Sequence, residues 1–527
     1  MFTRLDPDHR HASRRSSIYA RNVVAASQPL AAQAGLQCIR DGGNAVDAAI
    51  AAAITLTVVE PTMNGIGSDG FAIVADGDTI HGFNGSGRSP AAWTPQRFDG
   101  LAEMPEHGWD SITVPGAVDT WVRLSERFGR LPFERLFSDA IGYASDGYAV
   151  SPIVAGGWAR ATEEYGHFDG FRSTFMPHGR APVAGEIFRS SEMADTLNEI
   201  ATTRGESFYR GELARLMAAN AARLGGAMTC DDLAHHQGFW TDCISQEFQE
   251  LTVHEIPPNG QGITALIALG ILEQLNIGDY PPDSADSVHL QVEAMKAAFA
   301  ETHRHVSDPE TMRVTVEQLL DTGHLQRCAD SIELGRAAFP ETRITADHGT
   351  VYLATADAEG MMVSWIQSNY HGFGSGIVVP GTGISLQNRG RGFSMVPGHP
   401  NQIGGGKRPF HTIIPALVTH EGRPLMAFGV MGGHHQPQGH TQVMIRLFCQ
   451  GASPQQALDA PRWHIHEDFS LCLEPALSDL QDDLSRRGQR FKESKIGSFG
   501  GGQIILKEGT GYAAGSDPRK DGQAAGY

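Results

Sequence analysis

The stretch ADHGTVYLATA, residues 346–356, decides how the rest of this sequence is interpreted. A small residue, Gly349, precedes Thr350, and Thr350 opens an apolar segment predicted to be a buried strand, Val351–Ala356. This arrangement suits a self-cleaving precursor, in which the threonine hydroxyl attacks the preceding carbonyl and an N→O acyl shift forms an ester that water releases. The new N-terminal threonine would carry both the nucleophile and, in its α-amine, the base. Thr350 is therefore the predicted nucleophile.

Composition and charge limit the class of protein. The chain has 527 residues, 41% of them hydrophobic, which is enough for one large domain or two closely packed halves. A formal net charge of −19, with basic residues clustered only in Arg4–Arg15, argues against a nucleic-acid partner. The apolar run Ala45–Val59 is too short to span a membrane, and the N-terminus lacks an apolar signal segment. We therefore expect a cytoplasmic protein whose six scattered cysteines are free thiols.

Hydrophobic periodicity changes near Thr350. Helical periodicity dominates much of the chain before it, strands and glycine turns dominate after it, and Pro309–Thr345 is predicted to be a solvated linker with short helices. These patterns predict an α/β sandwich in which two sheets stack between helical layers. The predicted helices are Pro29–Asp41, Ala45–Val59, Ala117–Phe128, Gly262–Leu275, Ala285–Val306, Gln438–Cys449 and Pro454–Ala460, and the predicted strands are Val23–Ala26, Phe71–Ala75, Leu251–Glu255, Val351–Ala356, Met361–Gln367, Ile413–Thr419, Leu425–Val430, Gly502–Lys507 and Tyr512–Gly515.

A series of short motifs runs along nearly the whole chain. They are NVVAASQPLA (22–31), GGNAVDAA (42–49), the glycine-rich loop before Phe71, VPGAV (114–118), EAMKAAFAE (293–301), KRP (407–409), MGG (431–433), APR (460–462), SDPR (516–519) and AGY (525–527). In this order they resemble the motifs of the γ-glutamyltransferase family. The resemblance rests on the whole series, because no single motif would be sufficient.

The resemblance implies an N-terminal-nucleophile fold, a stacked αββα sandwich, and self-cleavage between Gly349 and Thr350. The products would be a large subunit, residues 1–349, and a small subunit, residues 350–527, which would stay associated. Ser368 matches the family's threonine whose hydroxyl bonds the nucleophile. Gly432 and Gly433 match the backbone donors of the oxyanion hole, which stabilise charge that appears only in the transition state.

The chain departs from the family where the α-amine of a γ-glutamyl group would bind. In the family, an asparagine and an acidic residue accept from this amine, whereas Tyr370 and Gly392 occupy those positions here. A nearby glutamine is replaced by Arg389. A buried ammonium needs anionic or carbonyl partners, and these changes remove two acceptors and add a cation. The substrate is therefore expected to lack an α-amine, although Arg389 and Arg391 could also be solvated loop arginines.

The positions that hold the substrate carboxylate in the family differ as well. The family's serine pair after the KRP motif is replaced by His411 and Thr412, and the pocket arginine is displaced along the chain to Arg88. We expect Arg88, Arg389, His411 or Thr412 to hold a carboxylate, with Tyr370 in the same pocket. Arginine suits this role best because its planar guanidinium can bind a carboxylate through two parallel hydrogen bonds.

These features predict an amidohydrolase that cleaves a small acyl amide bearing a carboxylate, such as oxamate. We expect no metal or cofactor, because His434, His435 and His440 lack the spacing of a known ligand set and Asn64–Gly70 lacks the ending of a phosphate loop. The alternatives are a glutaryl-cephalosporin-type acylase, a glutathione or γ-glutamyl hydrolase or transferase, and an unprocessed relative that only binds small acids. A dimer of processed pairs is one option for assembly, and an oxamate-cleaving enzyme would serve nitrogen metabolism.

Overall fold

The computed structural model describes residues 15–341, 349–494 and 497–527. Most of the basic N-terminal segment and residues 346–348 of the cleavage stretch lie outside the described residues. The described strands are β1 Ile18–Ala20, β2 Val23–Ala26, β3 Asp69–Asp76, β4 Thr79–Asn84, β5 Tyr148–Ala149, β6 Ile187–Phe188, β7 Phe239–Thr241, β8 Ile244–Phe248, β9 Leu251–Glu255, β10 Val351–Ala356, β11 Met362–Ser368, β12 Val378–Val379, β13 Ile384–Ser385, β14 Ala416–His420, β15 Arg423–Met431, β16 Trp463–Ile465, β17 Leu471–Leu473, β18 Gly501–Glu508, β19 Gly511–Ser516 and β20 Gln523–Gly526.

Helices cover the strands and account for much of the chain before Thr350. The described α-helices are α1 Pro29–Arg40, α2 Ala45–Val59, α3 Ala117–Phe128, α4 Ser138–Asp146, α5 Pro152–Tyr165, α6 Asp169–Phe175, α7 Ser191–Thr203, α8 Glu206–Arg210, α9 Glu212–Arg223, α10 Cys230–Ala234, α11 Gly262–Gln274, α12 Ala285–His305, α13 Val316–Leu319, α14 Thr322–Asp330, α15 His435–Met444, α16 Pro454–Asp459 and α17 Gln481–Arg486.

Two seven-stranded antiparallel sheets stack on each other. The sheet that contains β10, here called the nucleophile sheet, has the order β20-β2-β10-β11-β3-β4-β7, and the other, here called the partner sheet, has the order β1-β19-β18-β15-β14-β9-β8. Apolar side chains from both sheets form one core cluster between them. Helices α1 and α2 pack on the outer face of the nucleophile sheet, and α11 and α12 cover the partner sheet. This is the predicted αββα sandwich.

Strand β10 is buried on both faces, as its mostly apolar sequence predicts. Val351 and Leu353 pack in the cluster under the helices, whereas Tyr352 and Ala354 pack in the cluster between the sheets. Successive side chains of a strand point to opposite faces, which explains this alternation. The ring of Tyr352 approaches Gly429 of β15 so closely that a β-carbon there would lie 2.4 Å from a ring carbon. Glycine at this position lets the two sheets come together.

Helix α2 is buried along its whole length because it is apolar on every side. Its first turn is closed by a capping box, in which the Asn44 side chain accepts from the Asp47 N–H and the Asp47 carboxylate accepts from the Asn44 N–H. At 15 residues it is shorter than a membrane span. None of the described helices is both long enough and apolar enough to cross a membrane.

Most predicted elements are confirmed to within one or two residues, but three boundaries after Thr350 differ: the starts of β14 and α15, and the end of α15, which lies at Met444 and is followed by a π-helix, Ile445–Cys449. Strand β14 begins at Ala416 rather than Ile413, because the Ile414 N–H donates to the Gln436 side chain and Pro415 has no N–H to pair. Helix α15 begins at His435 rather than Gln438, since a proline in the first turn of a helix removes no intrahelical hydrogen bond.

Candidate active site

Thr350 lies directly before strand β10, opposite Ser368 at the end of β11. The antiparallel register pairs Val351 with Gln367, so residues 350 and 368 are neighbours at the same end of the nucleophile sheet. Thr350 is buried, and its Oγ1 lies 2.6 Å from the carbonyl oxygen of Gly349 and 3.2 Å from Ser368 Oγ. Strand pairing therefore places the predicted nucleophile beside its predicted hydroxyl partner.

The Ser368 hydroxyl is bound to the carbonyl that precedes Thr350. It donates to the Gly349 oxygen at 2.6 Å and accepts from the Tyr370 N–H at 2.8 Å. A donor on this carbonyl stabilises the negative charge that forms on the oxygen when a nucleophile attacks the carbon. This geometry can therefore support attack of Thr350 Oγ1 on the peptide bond between Gly349 and Thr350.

Arg389 is fully buried and contacts the same hydroxyl, so it is not a solvated loop arginine. Its terminal nitrogens donate to Ser368 Oγ at 2.6 Å and to Thr412 Oγ1 at 2.7 Å, and its guanidinium lies over the Tyr370 ring at 4.5 Å. Tyr370 has a left-handed backbone conformation, with φ of 78°, which a bulky residue adopts only when its surroundings hold it there. Arg389 therefore contacts Tyr370 and Thr412, two further predicted substrate-binding residues, beside Ser368, the hydroxyl neighbour of Thr350.

His411 and Asp69 form a buried pair, and the charge of Arg389 affects the pKa of both residues. His411 Nε2 lies 2.9 Å from Asp69 Oδ2. Burial raises the pKa of Asp69 to about 7, while Arg389 and the Gly116 N–H oppose this rise. Burial, and then the charge of Arg389, lowers the pKa of His411 well below its usual range, which leaves the imidazole neutral at pH 7. Arg389 therefore supplies the positive charge of this cluster.

The Gly432-Gly433 turn joins strand β15 to helix α15. Both residues have positive φ, 125° and 57°, a conformation that a side chain would strain. The Gly432 carbonyl accepts from the His435 N–H at 2.8 Å, so the Gly433 N–H of the same trans peptide points away from the helix. Gly432 also lines the cleft that contains Thr350. The turn is compatible with the predicted oxyanion role, which stays a prediction.

This cleft, here called the nucleophile cleft, has a volume of about 570 Å³. Residues of helix α5, from Ile153 to Tyr165, line it, as do Phe499 and Lys520 near the C-terminus. Thr350, Gly349 and Gly432 also line the cleft, together with Met431 and Gly372. The cleft is large compared with oxamate, which has six non-hydrogen atoms.

Sequence reasoning did not single out Gln436, which contacts the nucleophile. Its Nε2 donates to Thr350 Oγ1 at 3.3 Å, and its Oε1 accepts from the Ile414 N–H at 3.0 Å. Both groups of the side chain are used, so the amide is held in one orientation. The sequence feature that could have indicated Gln436 is its position in the first turn of the helix that follows the Gly432-Gly433 turn.

Replacing Gln436 by methionine, which has a similar shape and no N–H donor, is expected to slow both self-cleavage and turnover. Losing one hydrogen bond to the nucleophile should lower each rate about 10- to 100-fold, equivalent to about 1–3 kcal/mol. Gln438→Met is the matched control, since Gln438 is buried on the same helix but donates to His434 and Ile465 carbonyls. Cleavage followed by mass spectrometry should slow only in Gln436→Met, and equal slowing in both variants would contradict a direct role.

The structure places Arg88 in a different cleft from Thr350. Its guanidinium pairs with Asp308 at 3.1 Å and with the Glu310 carboxylate at 2.9 Å, and it lines a cleft with Arg408. Its partners are thus acidic side chains of this chain. Arg391, which lies two residues after Arg389 in the sequence, pairs with Glu103 at 2.5 Å.

The three histidines around helix α15 have separate partners. His434 Nδ1 lies 3.2 Å from Gln261 Oε1, His435 Nδ1 lies 3.2 Å from His464 Nδ1, and His440 Nδ1 lies 2.8 Å from a Glu255 carboxylate oxygen. The three imidazoles therefore make three separate contacts.

Comparison with known proteins identifies the family. The family model described as gamma-glutamyltranspeptidase matches residues 31–527. The chain belongs to this family. It is 38% identical to the oxamate amidohydrolase proenzyme of Klebsiella pneumoniae, with 97% of this chain and 99% of the relative covered. It is also 35% identical to the glutathione hydrolase-like YwrD proenzyme of Bacillus subtilis, with the same coverage.

A solved structure supports the same assignment. The crystal structure of a cephalosporin acylase from Bacillus halodurans superposes with a TM-score of 0.95 and 45% sequence identity, covering 100% of this chain and 99% of the other. The gamma-glutamyltranspeptidase fold and the stacked sheets confirm the predicted N-terminal-nucleophile αββα architecture. The protein is an amidohydrolase of this family.

Proposed function

We propose that this chain is a precursor that cleaves itself before Thr350 and then hydrolyses a small amide whose acyl group carries a carboxylate, with oxamate as the best match. The observation that carries the proposal is the buried Arg389 guanidinium, which is linked to Thr350 Oγ1 through the Ser368 hydroxyl. The carboxylate of oxamate is bonded directly to its amide carbon. The Arg389 guanidinium correspondingly places a positive charge close to the Thr350 hydroxyl that would attack this carbon.

Self-cleavage would begin with attack of Thr350 Oγ1 on the Gly349 carbonyl carbon. The Ser368 hydroxyl would stabilise the charge on the carbonyl oxygen, to which it already donates. The resulting fragments, residues 1–349 and 350–527, would remain together because both contribute strands to each sheet. In the nucleophile sheet, for example, β2 pairs with β10 across the two fragments.

After cleavage, the α-amine of Thr350 would act as the base for its own hydroxyl and return the proton to the leaving amine. Gly432 and Gly433 would donate backbone N–H groups to the oxyanion. Such donors are worth about 3–4 kcal/mol each when they meet charge that develops in the transition state. Water would then release the acid, and the chemistry on oxamate would yield oxalate and ammonia. Ammonia release is the reason to propose that this reaction serves nitrogen metabolism.

The acyl length follows from the separation between the charge and the nucleophile. Arg389 and Thr350 Oγ1 are separated by one hydroxyl, Ser368 Oγ, which lies 2.6 Å from the first and 3.2 Å from the second, and in oxamate the carboxylate carbon is bonded directly to the amide carbon. Three carbons separate these groups in a glutaryl or γ-glutamyl chain, which in its extended form would carry the carboxylate past Arg389. Removal of Gly349, which accepts from both hydroxyls in the uncleaved chain, would open the space for a short acyl group.

A glutaryl-type acylase is the second candidate. The nucleophile cleft of about 570 Å³ exceeds what oxamate needs, and Arg160 and Lys520 line it as further cations for a distant carboxylate. The similarity to the cephalosporin acylase from Bacillus halodurans favours this candidate, whereas the oxamate amidohydrolase relative favours the first. A glutathione hydrolase is less favoured, because Tyr370 and Gly392 offer no side-chain carboxylate or amide to a substrate α-amine.

The test is a substrate panel on the cleaved protein, with oxamate, glutaric acid monoamide and a γ-glutamyl anilide. We expect the highest kcat/KM for oxamate, by about 100-fold or more, because a misplaced buried charge costs about 2–5 kcal/mol. Ammonia or aniline release gives the rates. A preference for the glutaryl amide would select the second candidate. Cleaved protein that hydrolyses none of the three would refute the substrate assignment while leaving the nucleophile in place.

A further inference from the structure

A cluster of two carboxylates and two imidazoles lies beside the nucleophile cleft. His371 Nδ1 lies 2.8 Å from one Glu106 carboxylate oxygen and 3.6 Å from one Glu164 oxygen, and the ligand atoms of these three residues all lie within 4.8 Å of one another. His107 Nε2 lies 3.0 Å from the same Glu164 oxygen. Glu164 also lines the nucleophile cleft. The four side chains come from three separate segments of the chain.

Buried polar side chains hold the backbone of this cluster in position. The Asn388 side chain is fully buried, donates to the Glu106 carbonyl at 2.9 Å and accepts from the His371 N–H at 3.1 Å. The Tyr165 hydroxyl donates to the His371 carbonyl at 3.2 Å. One amide therefore fixes two of the converging residues relative to each other, as in sites whose outer partners orient the ligands.

We propose that Glu106, Glu164 and His371 form a binding site for a divalent transition-metal ion, Zn²⁺ in the first instance, with His107 positioning Glu164. Imidazole nitrogen with carboxylate oxygen is a donor set that Zn²⁺ accepts. In a tetrahedral site with bonds of about 2.1 Å, ligand atoms lie about 3.4 Å apart. The separations of 2.8 and 3.6 Å from His371 Nδ1 bracket that value, so small side-chain rotations would complete the site.

Charge and access also favour a cation over an ion-pair network alone. Two carboxylates converge on His371 Nδ1, and one divalent ion there would neutralise both, whereas an ion-pair network would need both His371 and His107 to be protonated. The side chains of His371, Glu164 and Glu106 are 26%, 38% and 44% exposed, so an ion can reach them from solvent. The proposed site is separate from the chemistry at Thr350, for which no metal is invoked.

The site would act on the active centre through the loop that carries His371. Tyr370, the preceding residue, lies under the Arg389 guanidinium, and Gly372, the following residue, lines the nucleophile cleft. A bound ion would tie this loop to helix α5 and to the Glu106 segment. Occupancy is therefore expected to raise the thermal midpoint and to change the KM for substrate.

The experiment is calorimetric titration of the full, tag-free protein with Zn²⁺, compared with Glu106→Gln/Glu164→Gln. Both substitutions keep the side-chain shape but remove anionic ligands, so the double variant should bind one Zn²⁺ per chain fewer than the wild type. Glu359→Gln is the matched control, since Glu359 is an exposed glutamate whose carboxylate pairs with Arg130 at 2.6 Å. It should bind as the wild type does. Equal stoichiometry in all three proteins would overturn the proposal.

Co²⁺ gives an independent readout of the ligand set. Bound through nitrogen and oxygen, it should produce visible absorption that Zn²⁺ abolishes by competition and that the double variant lacks. A spectrum unchanged in the double variant would also overturn the proposal. If the double variant folds poorly, Glu106→Gln alone replaces it, because this position is the most exposed of the three ligands. It should then weaken Zn²⁺ binding at least tenfold, and unchanged affinity would count against the site.

Discussion

Thr350→Ala is expected to leave the chain as one polypeptide of 56.7 kDa with no measurable amide hydrolysis. Alanine removes the hydroxyl that contacts the Gly349 carbonyl oxygen, so the peptide bond loses its internal nucleophile. Removing a covalent nucleophile costs at least about 10⁴-fold in kcat in comparable hydrolases. Intact mass should show two fragments for the wild type, with the smaller one beginning at Thr350, and a single mass for the variant.

Thr350→Ser provides the matched control, because it keeps the hydroxyl and removes a buried methyl group. It should still cleave, but more slowly, and its small fragment should retain activity. Cleavage of Thr350→Ala at the same bond would show that another group performs the attack. A wild-type chain that stays intact would instead favour the interpretation as an unprocessed relative that binds small acids.

Arg389→Gln is expected to lower kcat/KM for oxamate by about 100-fold or more, because the substrate carboxylate loses its charged partner. Removing one member of a buried charge pair typically costs about 2–5 kcal/mol. Pyruvamide, which replaces the carboxylate of oxamate by an acetyl group, should be hydrolysed at a nearly unchanged rate. The ratio of the two kcat/KM values, measured on the cleaved fraction of each protein, is therefore the decisive quantity.

Arg391→Gln is the control for the substitution itself, since Arg391 is two residues away and pairs with Glu103. It should leave the ratio unchanged. Equal losses for oxamate and pyruvamide in Arg389→Gln would show that Arg389 acts through Ser368, which it contacts at 2.6 Å, rather than on the carboxylate. The variant should also raise the pKa of Asp69 further, because the charge of Arg389 opposes the effect of burial.

Local patterns were sufficient for the elements that form the layers of the fold. The strand Val351–Ala356 and the helices Ala45–Val59 and Ala117–Phe128 have the predicted bounds. Buried segments, alternating strands and helix caps can each be recognised from a sequence pattern that is only a few residues long. The predictions deviated at Ile413 and Gln438, where a side chain from elsewhere or a proline in a first turn sets the boundary.

The sequence by itself determined the family, the αββα architecture and the proposed nucleophile, because motif order and hydrophobic periodicity are properties of neighbouring residues. Only the tertiary structure decided which charged and polar groups meet Thr350. In the folded chain, Arg389 is buried against Ser368, which lies 21 residues away in sequence, and Gln436 contacts Thr350, which lies 86 residues away. Arg88 instead pairs with acidic side chains in another cleft. A hydrogen bond or ion pair depends on ångström-scale separation, which strand register and sheet stacking set and which spacing along the chain does not encode.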